Sequence, residues 1–135
     1  MHQQMIFVNL ATNDVAASGK FFTDLGCTID PQFSTDDCSC VVISDTIVVM
    51  LLSRQRYAEF TKKEIADSTK TSEVLIGLSA ESREKVDELV EKAVAAGGTA
   101  TGKPQDHGHM YSRAFDDLDG HTWEVVWMDP AVVRG

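Results

Sequence analysis

Residues 115–127 read FDDLDGHTWEVVW: a tight turn centred on Asp119-Gly120, then a strand-length run in which side chains alternate in character. Alternation puts Trp123, Val125 and Trp127 on one face of that strand and Thr122, Glu124 and Val126 on the other. Two indoles and a valine ask for a packed interior. The opposite face then carries one carboxylate, and a carboxylate held away from water is costly unless it is paired, hydrogen-bonded or bound to a ligand.

The same frame occurs earlier in the chain. Asp45 precedes Met50 by the five positions that separate Asp119 from Glu124, so SDTIVVML (44–51) superposes on LDGHTWEV (118–125) without a gap. LGCT (25–28) likewise lies over AGGT (96–99), each ending a helix on glycine and entering a strand. A tandem repeat governs the whole fold reading.

The first half predicts a strand at 5–10 and a helix at 15–25 announced by Asn13-Asp14. Ser18, Phe21, Phe22 and Leu25 form that helix's stripe, and strands follow at 28–33, 39–44 and 46–53. The second half predicts a strand at 73–80 and a helix capped by Ser82, with Val86, Leu89, Val90, Ala93 and Val94 at helical spacing. It continues with a short edge strand at 99–102 cut by Pro104, and strands at 110–116 and 122–127. Residues 54–72 are polar and read as a linker, with a short helix over 56–60. The fold expected is α+β, two tandem βαβββ modules at 5–53 and 73–129.

A chain of 135 residues with 43% hydrophobic and 24% charged residues has the composition of one globular domain. No apolar run approaches the ~20 residues of a membrane-spanning helix. The opening MHQQMIFVNL has neither a basic region nor a small-residue cleavage site, so a cytoplasmic protein with no membrane partner is expected. A formal charge of −9 makes nucleic acid a poor partner, because a phosphate backbone calls for a basic surface. Cys27, Cys38 and Cys40 read as reduced thiols.

The paired modules, and especially VNLATNDVAASGKFFTDLG (8–26) and FDDLDGHTWEVVW (115–127), resemble the vicinal oxygen chelate superfamily. That superfamily includes glyoxalase I, extradiol dioxygenases, fosfomycin-resistance enzymes and bleomycin-resistance binding proteins. The resemblance runs over about residues 5–129, with Leu118 where the closing motif often has proline. It implies one glyoxalase-like domain whose curled mixed sheets form a cup around a ligand. Metal-dependent members place ligands on the first and fourth strands of each module, positions that fall here on Phe7, Met50, Leu75 and Glu124. Only Glu124 has a donor suited to a hard divalent ion, so no cofactor is expected and a catalytic metal is disfavoured.

Strand parity places Phe7, Asn9, Met50 and Leu75 on the cup face with Glu124, and makes Ser112 the natural cup-facing residue of its strand. The cup is therefore expected to be largely apolar, with a few polar points. His107 and His109, an H-x-H pair before that strand, are candidates to border the ligand. Tyr111 and Arg113 pack on the second helix or a partner chain unless a bulge shifts the register. The expected function is metal-free binding of a small organic molecule in the cup. The alternative is a lyase, isomerase or dioxygenase-like relative with Glu124 as general base, using any metal through non-standard ligands. Homodimerisation is expected, since open half-sheets leave edges to cover.

Overall fold

A computed structural model describes residues 2–133. The chain divides into two compact units, Met1–Asp67 and Ser68–Gly135.

The first unit contains β1 (Ile6–Thr12), α1 (Val15–Asp24), β2 (Thr28–Ile29), a 3-10 turn (Pro31–Phe33), β3 (Cys38–Val42), β4 (Ile47–Ser53) and α2 (Arg54–Tyr57). Its strands form a mixed sheet in the order β1-β4-β3-β2, parallel between β1 and β4 and antiparallel elsewhere. Asp14 starts α1 by accepting a hydrogen bond from the Ala17 amide at 3.0 Å. The predicted stripe of Ser18, Phe21, Phe22 and Leu25 is buried, as are Val41, Val49 and Leu51 on the sheet. Gly19 lets α1 approach closely, because a Cβ there would stand 2.9 Å from the Ser39 hydroxyl oxygen. The strand expected at 28–33 stops at Ile29 instead. Asp30 caps the Gln32 amide at 2.9 Å and Pro31 starts a 3-10 turn, a local hydrogen-bonding alternative to the ladder. All three cysteines are free, and burial pushes their thiols up in pKa.

The second unit repeats the plan with β5 (Leu75–Ser79), α3 (Arg83–Ala95), β6 (Thr99–Asp106), β7 (Met110–Asp116), β8 (Thr122–Met128) and α4 (Pro130–Val133). The sheet order is β5-β8-β7-β6, again parallel only between its first strand and its last. Ser82 caps α3 by accepting from the Lys85 amide at 3.1 Å. Val86, Val90 and Ala93 are fully buried, as are Phe115, Trp123 and Val125 on the sheet. Burying side chains of this size contributes about 1.5–3 kcal/mol each. The helix stripe is narrower than its periodicity predicted, for Val94 is 47% exposed. The strand expected to end at 102 runs on to Asp106. Pro104 is accommodated because β6 is an edge strand whose register shifts between Thr101 and Gln105.

The architecture is therefore α+β, with two open four-stranded mixed sheets and four α-helices among the described residues. No helix among them is long and apolar enough to cross a membrane.

Candidate functional site

The turn before β8 fixes which way that strand faces. Asp117, 6% exposed, accepts hydrogen bonds at Oδ1 from the Asp119 and His121 amides, both at 3.0 Å. Its Oδ2 accepts from the Trp123 indole N–H, also at 3.0 Å. Burial raises the Asp117 pKa, opposed by the nearby His121 and by these three N–H donors. Gly120 has φ +86°, and a Cβ there would lie 2.8 Å from the Ser68 carbonyl oxygen and the Thr69 nitrogen. The turn thus locks Trp123 inward and leaves Glu124 on the open face of the sheet.

Asp117, Asp119 and His121 also bring ligand-type atoms within 4.8 Å of one another. Both Asp117 oxygens already accept N–H donors, so this cluster serves as the turn's lock.

On the open face, the register sets Glu124 between the two smallest possible neighbours, Gly77 on β5 and Ala114 on β7. A Cβ built on Gly77 meets nothing within 4 Å. The half-buried Glu124 carboxylate makes no hydrogen bond or ion pair with any described residue. It lines a cavity of about 420 Å³ together with Thr101, Lys103, Gln105, Ser112 and Thr122. Lys103 shares strand parity with Thr101 and Gln105 and lies where β6 is irregular, residues 102–104 standing opposite Arg113 and Gly102 adopting φ +64°.

His107 lines the same cavity from a turn that is clamped in place. The Arg83 guanidinium donates to the Asp106 carboxylate at 2.7 and 3.0 Å and to the Gly108 carbonyl at 2.7 Å. Its carbon lies 5.3 and 5.1 Å from the ring centroids of Tyr111 and Trp127. The Gly108 amide closes the turn onto Asp106 at 2.9 Å. Arg83 and that amide together lower the Asp106 pKa from 3.8 to about 2.

Of the residues singled out from sequence, Glu124, Thr122, Ser112, Arg113 and His107 border this cavity. His109 does not line it; its amide bonds to the His107 carbonyl and its carbonyl to the Asp129 amide. Leu75, 58% exposed, pairs in register with Thr122 on the edge strand β5 without lining the cavity. Tyr111 and Arg113 face α3, where both donate to Asp87 at 2.7 and 3.1 Å. Arg113 nonetheless also borders the cavity, at the point where residues 102–104 of β6 stand opposite it. In the first unit Phe7 is 59% exposed and Met50 half-buried. Asn9 lines a cavity of about 250 Å³ with Leu52, Tyr57, Phe60 and Thr61.

The four positions that the resemblance gives to metal ligands carry one oxygen donor. Phenylalanine, thioether and leucine side chains hold three of the four positions, leaving Glu124 as the only oxygen donor among them. The open face of the second sheet is also more polar than strand parity predicted. Thr101, Lys103 and Gln105 supply the difference, alternate residues of a strand that continues past the expected end at 102. The dipeptide Gly102-Lys103 before Pro104 was the available signal.

The sequence model of the Glyoxalase/Bleomycin resistance protein/Dioxygenase superfamily matches residues 4–125. No curated protein matches the chain. Among solved structures, a hypothetical protein from S. aureus is 29% identical with a TM-score of 0.79, covering 94% of each chain. A glyoxalase/bleomycin resistance protein/dioxygenase family enzyme from Burkholderia phytofirmans PsJN is 18% identical with a TM-score of 0.77, over 93% of this chain and 99% of that one. A fosfomycin resistance protein from Listeria monocytogenes is 20% identical with a TM-score of 0.66, over 94% and 92%. Similarity at the latter two levels speaks for the shared fold.

Proposed function

The chain belongs to the glyoxalase/bleomycin resistance protein/dioxygenase superfamily, and from that premise we propose that the open face of its second sheet binds a small organic molecule, with Glu124 as anchor. One observation carries the reading: an unpartnered carboxylate lines a cavity of about 420 Å³ with Ala114 beside it on β7, while Gly77 on its other side lines a second cavity of about 400 Å³ with Ser79, Val126 and Met128. That volume is in the range of small-molecule sites. An acceptor-only group in such a place selects a ligand N–H or O–H. Thr101, Gln105, Ser112 and Thr122 offer the neutral hydrogen bonds that would orient the rest of the ligand.

The test is a backbone-amide NMR titration with benzylamine, benzyl alcohol and benzoate as probes. The reading expects saturable shifts at Gly77, Ala114 and Glu124 with the amine or the alcohol. Glu124→Gln should weaken the amine by at least about tenfold, as loss of a charge-assisted hydrogen bond does. Absence of shifts at those three positions with every probe rejects the site.

A second reading has support in His107, a proton-transfer group bordering the cavity that holds Glu124. Here Glu124 is the general base of a lyase- or isomerase-type reaction. Glu124-dependent exchange of a carbon-bound ligand proton for deuterium would favour this reading over binding alone.

The protein as it works is proposed to be a homodimer. In each module the first strand lies at a sheet edge, and Ile6, Phe7, Val74 and Leu75 in or beside these strands are between 56% and 59% exposed.

A further inference from the structure

Resting on the reading that Glu124 is a ligand anchor, we propose that its cavity takes a zwitterion, a small ω-amino acid whose ammonium meets Glu124 and whose carboxylate meets Lys103. Both side chains line the same cavity of about 420 Å³. Neither makes a hydrogen bond or ion pair with any described residue, so they do not neutralise each other. Acidic side chains outnumber basic ones by 21 to 12, and an exposed ammonium in such a chain has many carboxylates to meet. Lys103 stays apart from all the described ones. The cavity's guanidinium is already engaged, since Arg113 donates to Asp87 at 3.1 Å. Two open charges of opposite sign select a ligand that carries both. A cation alone meets Glu124 but is repelled by Lys103, and an anion alone suffers the reverse.

The strand register sets the ligand's length. Glu124 pairs with Ala114 on β7, and Ala114 with Thr101 on β6, so three strands carry the floor of the cavity. Lys103 lies two residues beyond Thr101 with the same parity. Two strand steps of about 4.8 Å and two residues of about 3.3 Å put the Glu124 and Lys103 backbones roughly 12 Å apart. With about 3 Å for each hydrogen bond, the ligand's own charges stand about 6 Å apart. That is the span of a benzene ring, and it exceeds the one-carbon separation of an α-amino acid. Ala114, the residue between the two charges, carries only a methyl group, so a flat ring can lie over β7.

The experiment is an amide NMR titration of the full chain at neutral pH with 4-(aminomethyl)benzoate, its methyl ester and phenylalanine, repeated in Lys103→Gln and Lys103→Arg. Lys103 is exposed, and unchanged amide spectra of α1 and α3 verify each variant's fold. 4-(Aminomethyl)benzoate should shift Lys103, Ala114 and Glu124 saturably and bind about fivefold more tightly than its ester, the gain of one solvent-exposed ion pair. High salt should shrink that gain. Lys103→Gln should abolish it without weakening the ester, and Lys103→Arg should restore it. Phenylalanine, with both charges on one carbon, should bind less tightly than 4-(aminomethyl)benzoate; equal binding overturns the spacing. Equal affinity for the acid and its ester in the parent chain, or an equal loss of both in Lys103→Gln, overturns the zwitterion, while ester shifts at Ala114 and Glu124 leave the anchor standing. Absence of shifts with every ligand removes anchor and zwitterion together.

Discussion

Asp117 shows how a single side chain decides the face on which Glu124 stands. Both its oxygens are used, two backbone amides on one and an indole on the other. Asp117→Asn keeps one acceptor but turns an N–H toward the Trp123 N–H, leaving a buried donor unsatisfied. The expected loss of stability is about 1–3 kcal/mol, measured by urea unfolding with the mutant's slope compared against the parent's. A change below a few tenths would mean that the turn is held elsewhere. Sequence parity alone predicted that Glu124 and Ser112 share a face, because period-two alternation is a local property. The lock at Asp117 was not legible, since its partners are gathered by the turn and not by spacing.

At the scale of elements, the clamp between α3 and the β6–β7 turn makes a pH-dependent prediction. Asp106 titrates at about 2 when folded against an ordinary 3.8. A depressed carboxylate pKa contributes stability that is fully present above the ordinary value and is lost as pH falls toward 2. The Gly108 amide and the Asp106 carboxyl resonances should therefore move together with a midpoint below 3 (roughly, for a group so depressed). In Arg83→Gln the Asp106 midpoint should return toward its ordinary value. An unmoved midpoint in that variant would remove Arg83 as the cause. Helices α1 and α3 were legible in outline because their caps, Asp14 and Ser82, and their apolar periodicity are written locally. The end of β2 and the continuation of β6 were not. The first depended on Asp30 and Pro31 building their own turn, the second on an edge position tolerating proline within a bulge. Lys103 joined the site because β6 continues past Gly102, and the short helix expected at 56–60 forms at Arg54–Tyr57 instead.

For the whole molecule, the repeat gave both modules at once, and the differences between them now carry the functional reading. At the matching position of β4 and β8, the first module has Met50 and the second Glu124. The exposed apolar residues of β1 and β5 predict self-association: light scattering should give a dimer mass, and Phe7→Lys with Leu75→Lys should give monomer. A monomer mass for the parent chain at micromolar concentration would contradict this. The central claim, that the gap beside Glu124 is a ligand slot, is tested most directly at Gly77, where a side chain has room and no neighbour to strain. Gly77→Val should fold with stability equal to or above the parent, since glycine weakens a strand interior. Titration of Gly77→Val with benzylamine should show its binding at Ala114 and Glu124 abolished. Retention of parental affinity in a folded Gly77→Val protein would contradict the account.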